Sequence, residues 1–223
     1  MAKQVSQLSN AARESLTIQI VIIGLTIEVL LVALHGFNHI TFDGRWLALD
    51  KENNLPTWFS SSQLLLAGAG WSVVSAMADS KRILWLGMAV VSMMLSLDES
   101  ALIHDWLEGL VEQDLVIFTW QALVGIGVIL LFITAIRNLQ GLPRLCLIGA
   151  AVALTTSQVS STIVGVLEPT YVLLVVLAVS EEFCEMLTGT LLFAATLIPI
   201  QKCLLQWAKR NIESEAINSK VRD

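Results

Sequence analysis

Three stretches of this chain carry side chains able to move protons or hold metal ions: TIQIVIIGLTIEVLLVALHGFNHI, SMMLSLDESALIHDWLEGLVEQD and SEEFCEML. In the first, Glu28 is followed seven and eleven residues later by His35 and His39. At ~100° per residue, a helix places these three within about 40° of one another, on one polar stripe. His35 and His39 form an H-x-x-x-H pair, whose spacing lets two imidazoles approach one ion. The second stretch supplies Asp98, Glu99, His104, Asp105 and Glu108. Asp98 and Asp105 share a helical face, His104 lies toward the side of Glu108, and Glu99 points away from Asp98. In the third, Glu181 and Glu185 share a face with Glu182 on its flank.

Mixed imidazole and carboxylate donors suit iron, zinc or manganese. The expected ligands to one or two divalent ions are Glu28, His35, His39, Glu99, His104, Glu181 and Glu185. Asp98 and Glu182 are the candidates for moving a proton. Acids from several helices could span two ions ~3.5–4 Å apart. The chain has no E-x-x-H pair of the kind such bundles use, so its nearest substitutes are His35 to His39, Asp98 to His104 and His104 to Glu108.

The elements that must position these groups are membrane helices. The chain has 223 residues, 55% hydrophobic and 14% charged, with a mean hydropathy of +0.72; a soluble domain is about 25% charged. Apolar stretches long enough to cross a bilayer begin near Thr17, Thr57, Arg82, Asp114, Arg144 and Thr170, which predicts an all-α bundle of about six spans. Backbone groups in lipid need internal partners, so open strands are excluded, and the short alternating segments of a barrel are absent. The expected divisions are residues 1–16 before the bundle, 17–200 for the bundle and 201–223 as a tail, either a short surface helix or disordered. The first run lacks a small-residue cleavage site and is about twice a signal core in length, so it reads as a retained helix.

With the amino terminus inside, the inner side holds Lys3, Arg13, Lys81, Arg82, Arg137, Arg144, Lys202, Lys209, Arg210, Lys220 and Arg222, against Arg45 and Lys51 outside. That bias predicts two cytoplasmic termini. Most tryptophans, Trp85 among them, fall near expected interfaces, whereas Trp71 sits deeper and reads as packing. Cys146, Cys184 and Cys203 show no C-x-x-C pairing, and a net charge of −6 argues against nucleic acid as a partner. Membrane lipid is the expected surrounding partner.

Depth turns these acids into a problem in energetics. Glu28, Asp98, Glu99, Glu181, Glu182 and Glu185 lie within the expected spans, and no Lys or Arg lies there to offset them. Each charge at bilayer depth costs at least ~2.5 kcal/mol. Protonated acids sharing hydrogen bonds, a hydrated cavity or bound cations would resolve this. Convergence requires the first, third and sixth spans to be neighbours. Polar residues in ALTTSQVSSTIVG read first as interhelical hydrogen bonding, Ser60, Ser61, Ser62 and Gln63 as small-residue packing, and the GAG at 68–70 as close packing.

The pieces ENNLPTWFSS, SLDESALIHD and EEFCEM resemble segments of uncharacterised bacterial multi-pass membrane proteins. That resemblance covers under a fifth of the chain and implies no activity; the expected location is the bacterial inner membrane. More remotely, Asp98, His104 and the histidine pair resemble the alkaline-ceramidase-like membrane hydrolases, described as seven-helix proteins with a zinc held by three histidines. Here Asp98 and His104 are six apart, and the histidine pair is on the first span instead of a late one. The resemblance implies lipid-amide hydrolysis among the candidate reactions. The leading expectation is a metal-dependent membrane hydrolase or oxidoreductase acting on a lipid-like substrate. A proton or cation transporter and a noncatalytic subunit of a membrane complex are the alternatives.

Overall fold

The computed structural model describes residues 2–41, 55–101, 114–166 and 170–222, with side chains over 11–35, 55–101, 123–164, 170 and 172–215. The described chain is all helix and turn: α1 Ala2–Thr41, α2 Leu55–Met77, α3 Arg82–Ala101, α4 Asp114–Asn138, α5 Leu142–Val166 and α6 Tyr171–Arg222. Four stretches are long and apolar enough to cross a membrane: Ala11–His35, Arg82–Ala101, Leu142–Val164 and Val172–Glu215. Leu123–Asn138 in α4 is apolar but shorter.

The main packing pairs are α5 with α6, α2 with α3, α2 with α6, and α1 with α6. Accordingly α6 is the shared element, and α2 lies against both α3 and α6. That position explains why α2 is the least lipid-like of the expected spans. It buries Ser60, Gln63, Gly68, Gly70, Trp71 and Ser75 against protein, where polar and small side chains let helices approach and hydrogen-bond. By contrast α1 presents a narrow seam. Thr17, Gly24, Glu28 and Leu31 are buried, while Ile22, Ile23, Val29 and Leu30 are exposed.

The apolar core joins Leu64, Ala67, Trp71 and Val74 of α2 to Trp85, Met88 and Ala89 of α3, Leu147 and Ala150 of α5, and Leu192, Ala194 and Ala195 of α6. Trp71 and Trp85 stack with ring centroids 5.2 Å apart and planes 7° from parallel. Trp85 is therefore a core residue, not an interfacial anchor, because its partner on α2 draws it inward. The expected packing at Gly68 and Gly70 is present. Gly68 sits against Ala89 and Met93, and Gly70 against Thr196.

The tail is helical, as one of the two expectations had it, but as the end of α6, which continues without interruption through Pro199 to Arg222. Arg210 pairs with Asp79 in the α2–α3 turn. In that turn Lys81 has a φ of 62°, a left-handed conformation costly for a side chain with a Cβ. Its ammonium reaches Asn138 of α4.

Candidate functional site

The helix seams set a register from which the heights of the acids follow. Glu28 meets Thr190, and Leu31 packs with Met186, so α1 and α6 run antiparallel. Gln63 meets Thr190 and Gly70 meets Thr196, so α2 and α6 run parallel. Ser61 and Ser96 exchange hydrogen bonds, each hydroxyl donating to the other residue's carbonyl at 2.9 and 2.8 Å, which aligns α3 antiparallel to α2. The upper end is taken as the one where α2 and α6 begin.

At ~1.5 Å per residue, Asp98 and Glu99 then stand about 6–8 Å above the height of Thr190. Glu185 stands at about 7 Å on the same scale, with Glu182, Glu181 and His35 between about 10 and 14 Å. Six sequence-predicted site residues from three helices thus lie in the upper half, in a layer spread over about 8 Å of height, and the third span packs mainly on α2 instead of on α1 or α6. His35, Asp98, Glu99, Glu182 and Glu185 all have interaction partners. Ser157 of α5 donates to Glu185 Oε1 at 2.9 Å. Among the described residues, no group of three or more His, Cys, Asp or Glu stands close enough to hold a metal. The side chains of His39 and His104, both expected ligands, lie outside the described residues, as do Asp105 and Glu108.

Glu28 stands apart from this layer. It is wholly buried on the α1 seam, about 10 Å below His35 along the helix. Its Oε1 accepts from the Thr190 hydroxyl at 2.5 Å, and Thr190 Oγ1 in turn accepts from Gln63 Nε2 at 2.5 Å. The resulting chain runs from α2 through α6 to α1. Gly24 makes the approach possible, because a Cβ there would lie 2.6 Å from Thr190 Cγ2 and 2.7 Å from its Oγ1. Gly24→Ala is expected to displace that hydroxyl and cost about 1–3 kcal/mol as an overpacked seam. Thermal unfolding in mild detergent checks this, and Thr190→Ser in the same chain should recover part of the loss by removing the nearer methyl.

Below the layer and the Glu28 chain, the Trp71–Trp85 core closes the interior. Beside the layer, a groove of about 390 Å³ between α1 and α6 is lined by Val29, Val32, Val175, Val176, Val179, Ser180 and Phe183. Its apolar walls face the surroundings of the helices. The family described as a domain of unknown function, DUF8692, matches residues 16–200.

The chain belongs to DUF8692. No curated protein and no solved structure matches it. The matched residues of this DUF8692 chain contain the whole acid layer, Glu28 and the Gln63–Thr190 pair.

Sequence reasoning left out Thr190 and treated Gln63 as packing. Thr190 lies four residues beyond Met186 in an otherwise ordinary apolar helix, and nothing in its spacing marks it. The i,i+5 relation of Glu185 to Thr190 places them on different faces, so pattern alone separates two groups that serve different neighbours. Ser157 and Ser160 turn inward among the polar residues of α5. Thr155, Thr156 and Thr162 bond carbonyls of their own helix.

Proposed function

We propose that this protein is a metal-dependent integral membrane enzyme, a hydrolase or oxidoreductase, acting on a lipid or similarly membrane-accessible substrate. The observation that supports this reading is the uneven distribution of polar groups along the bundle. By helix rise His35, Asp98, Glu99, Glu181, Glu182 and Glu185 lie above Thr190, over a packed aromatic and aliphatic core. A transporter requires a continuous hydrated route past its acids, and the stacked Trp71–Trp85 pair fills space between α2 and α3 in the lower half. An enzyme requires access from one side, which the groove beside Val29, Val32 and Phe183 offers to an acyl chain.

Within this reading, Glu99, Glu181, Glu185 and His35 supply donors spread between about 7 and 14 Å above Thr190, and His39 and His104 are the further expected ligands. These oxygen and imidazole donors fit iron or zinc. A bound ion of either kind would supply Lewis acidity to the substrate. Asp98 and Glu182 are the groups to hold and move the proton. The Ser157 hydroxyl orients Glu185, and the apolar core below excludes water from the inner side. In this arrangement all six spans cross the bilayer and both termini are cytoplasmic, in keeping with the distribution of Lys and Arg.

Metal analysis of freshly purified, unchelated protein tests the proposal. Stoichiometric iron or zinc, lost in both His35→Ala and Glu182→Gln while each variant keeps its helical content, is the expected result. Protein purified without chelator that contains no metal would overturn it.

A further inference from the structure

The Glu28 chain carries oxygen atoms that its own hydrogen bonds do not use. Glu28 Oε2, Gln63 Oε1 and Ser60 Oγ are all buried without a hydrogen-bond partner. Their residues are 0%, 9% and 1% exposed. They belong to residues along the α1–α2–α6 seam that share contacts with Thr190 and Gly189. Gln63 and Glu28 both bond Thr190 Oγ1, and Ser60 lies one turn from Gln63 on the same helix. Ser60 and Gln63 both press on Gly189, where a Cβ would lie 3.1 Å from Gln63 Oε1 and 3.3 Å from the Ser60 carbonyl.

The direction of the chain makes Glu28 Oε1 an acceptor. Gln63 donates to Thr190, so the Thr190 hydroxyl proton is directed at Glu28 Oε1, which accepts. An ionised carboxylate accepts in this order, as does the carbonyl oxygen of a protonated acid. No Lys or Arg lies between Glu14 and Thr41 of α1, in α2, or between Tyr171 and Gln201 of α6 to balance the ionised form, and an uncompensated buried charge costs several kcal/mol at the least. A proton on Oε2 would neutralise the charge but could donate to one further acceptor. A cation neutralises the charge and can bind several of these oxygens together. The donors are hard oxygens with a single negative charge, so a monovalent ion balances the site whereas a divalent one would leave a net positive charge in an apolar bundle.

We propose that Glu28, Gln63, Ser60 and Thr190 form a binding site for an alkali cation, with sodium as the ion to probe. The site is separate from the acid layer and does not depend on the enzymatic reading. Its role is to lock α1 to α2 and α6, so the ion tightens the seam on which the upper layer is carried.

The test is thermal unfolding of the purified full chain in neutral detergent, titrated with sodium, potassium or choline chloride at constant ionic strength. Saturable stabilisation by sodium or potassium, and none by choline, is the expected result. Glu28→Gln should abolish the alkali-specific shift. Ser60→Ala keeps the charge and the packing, and should raise the half-saturating concentration about tenfold through loss of one ligand; it carries the test if the Glu28→Gln variant fails to fold. Equal midpoints in the three salts for the unaltered protein would overturn the proposal. So would an alkali-specific shift that persists unchanged in both variants, since the ion would then bind elsewhere.

Discussion

Trp71→Ala is expected to lower stability by about 3–5 kcal/mol, the range for removing a buried large aromatic side chain. Trp71 is wholly buried and stacks on Trp85, so truncation leaves a cavity bounded by α2, α3 and α6. Lipid association gives little hydrophobic drive between helices, and van der Waals packing carries much of the energy. The lost contacts therefore fall directly on the bundle. The indole Nε1 has no hydrogen-bond partner, so Trp71→Phe sacrifices no hydrogen bond and should cost much less. For a chain of this size, the alanine variant should unfold at a midpoint about 6–20 °C lower in mild detergent. Equal stability of the alanine variant and the unaltered chain would refute the assignment of this pair as the core of the lower half.

The second large effect is expected at Gly70. A Cβ there would lie 2.6 Å from Thr196 Oγ1 and 2.8 Å from its Cβ. Thr196 is β-branched, buried, and donates to the Phe193 carbonyl at 2.7 Å, so it has little freedom to withdraw. Gly70→Leu should force α2 from α6 at a cost of about 3 kcal/mol. Gly125 provides the control, because a Cβ there meets nothing within 4 Å. Gly125→Leu should be neutral or stabilising by up to about 1 kcal/mol, since leucine is the better helix former. Comparing the thermal midpoints of the two variants separates the local contact from a general effect of enlarging glycine.

Both expectations depend on how α2 sits, and α2 is also where the chain was hardest to read. Its beginning near Thr57 was legible from Pro56 and the apolar run after Gln63. Its serines and glutamine gave no sign of which neighbour they served. Ser61 bonds Ser96 beside the acids of α3, while Gln63, half a turn away, faces Thr190. Two residues on one helix thus join two different polar groups, a division that requires the positions of both partners. The same limit applied to Trp85, whose place near an expected interface followed from sequence distance and whose burial followed from Trp71.

Glu28 illustrates the legible side. Its type and its depth in a 25-residue apolar stretch, Ala11–His35, already mark it as costly and in need of compensation. Its grouping with His35 and His39 on one stripe was sound as helical geometry. Yet axial distance divides that stripe, and α6 presents Thr190 to Glu28 and the acid layer higher up. A helical wheel records angle alone, so which groups on the stripe meet a partner, as Glu28 meets Thr190, requires the neighbouring helix.

By itself, then, the order of residues determined the all-helical membrane character, the approximate helix starts and the presence of acids where lipid would penalise charge. Those follow from local hydropathy and from the need of every backbone group for a partner within its own segment. Only the tertiary structure decided that α2 packs against both α3 and α6, that Thr190 and Gln63 meet at Glu28, and that Trp71 and Trp85 stack in the core of the lower half. Such choices rest on which helix faces meet and at what relative height, and contacts between residues as distant as Glu28 and Thr190 leave no periodic trace in either segment.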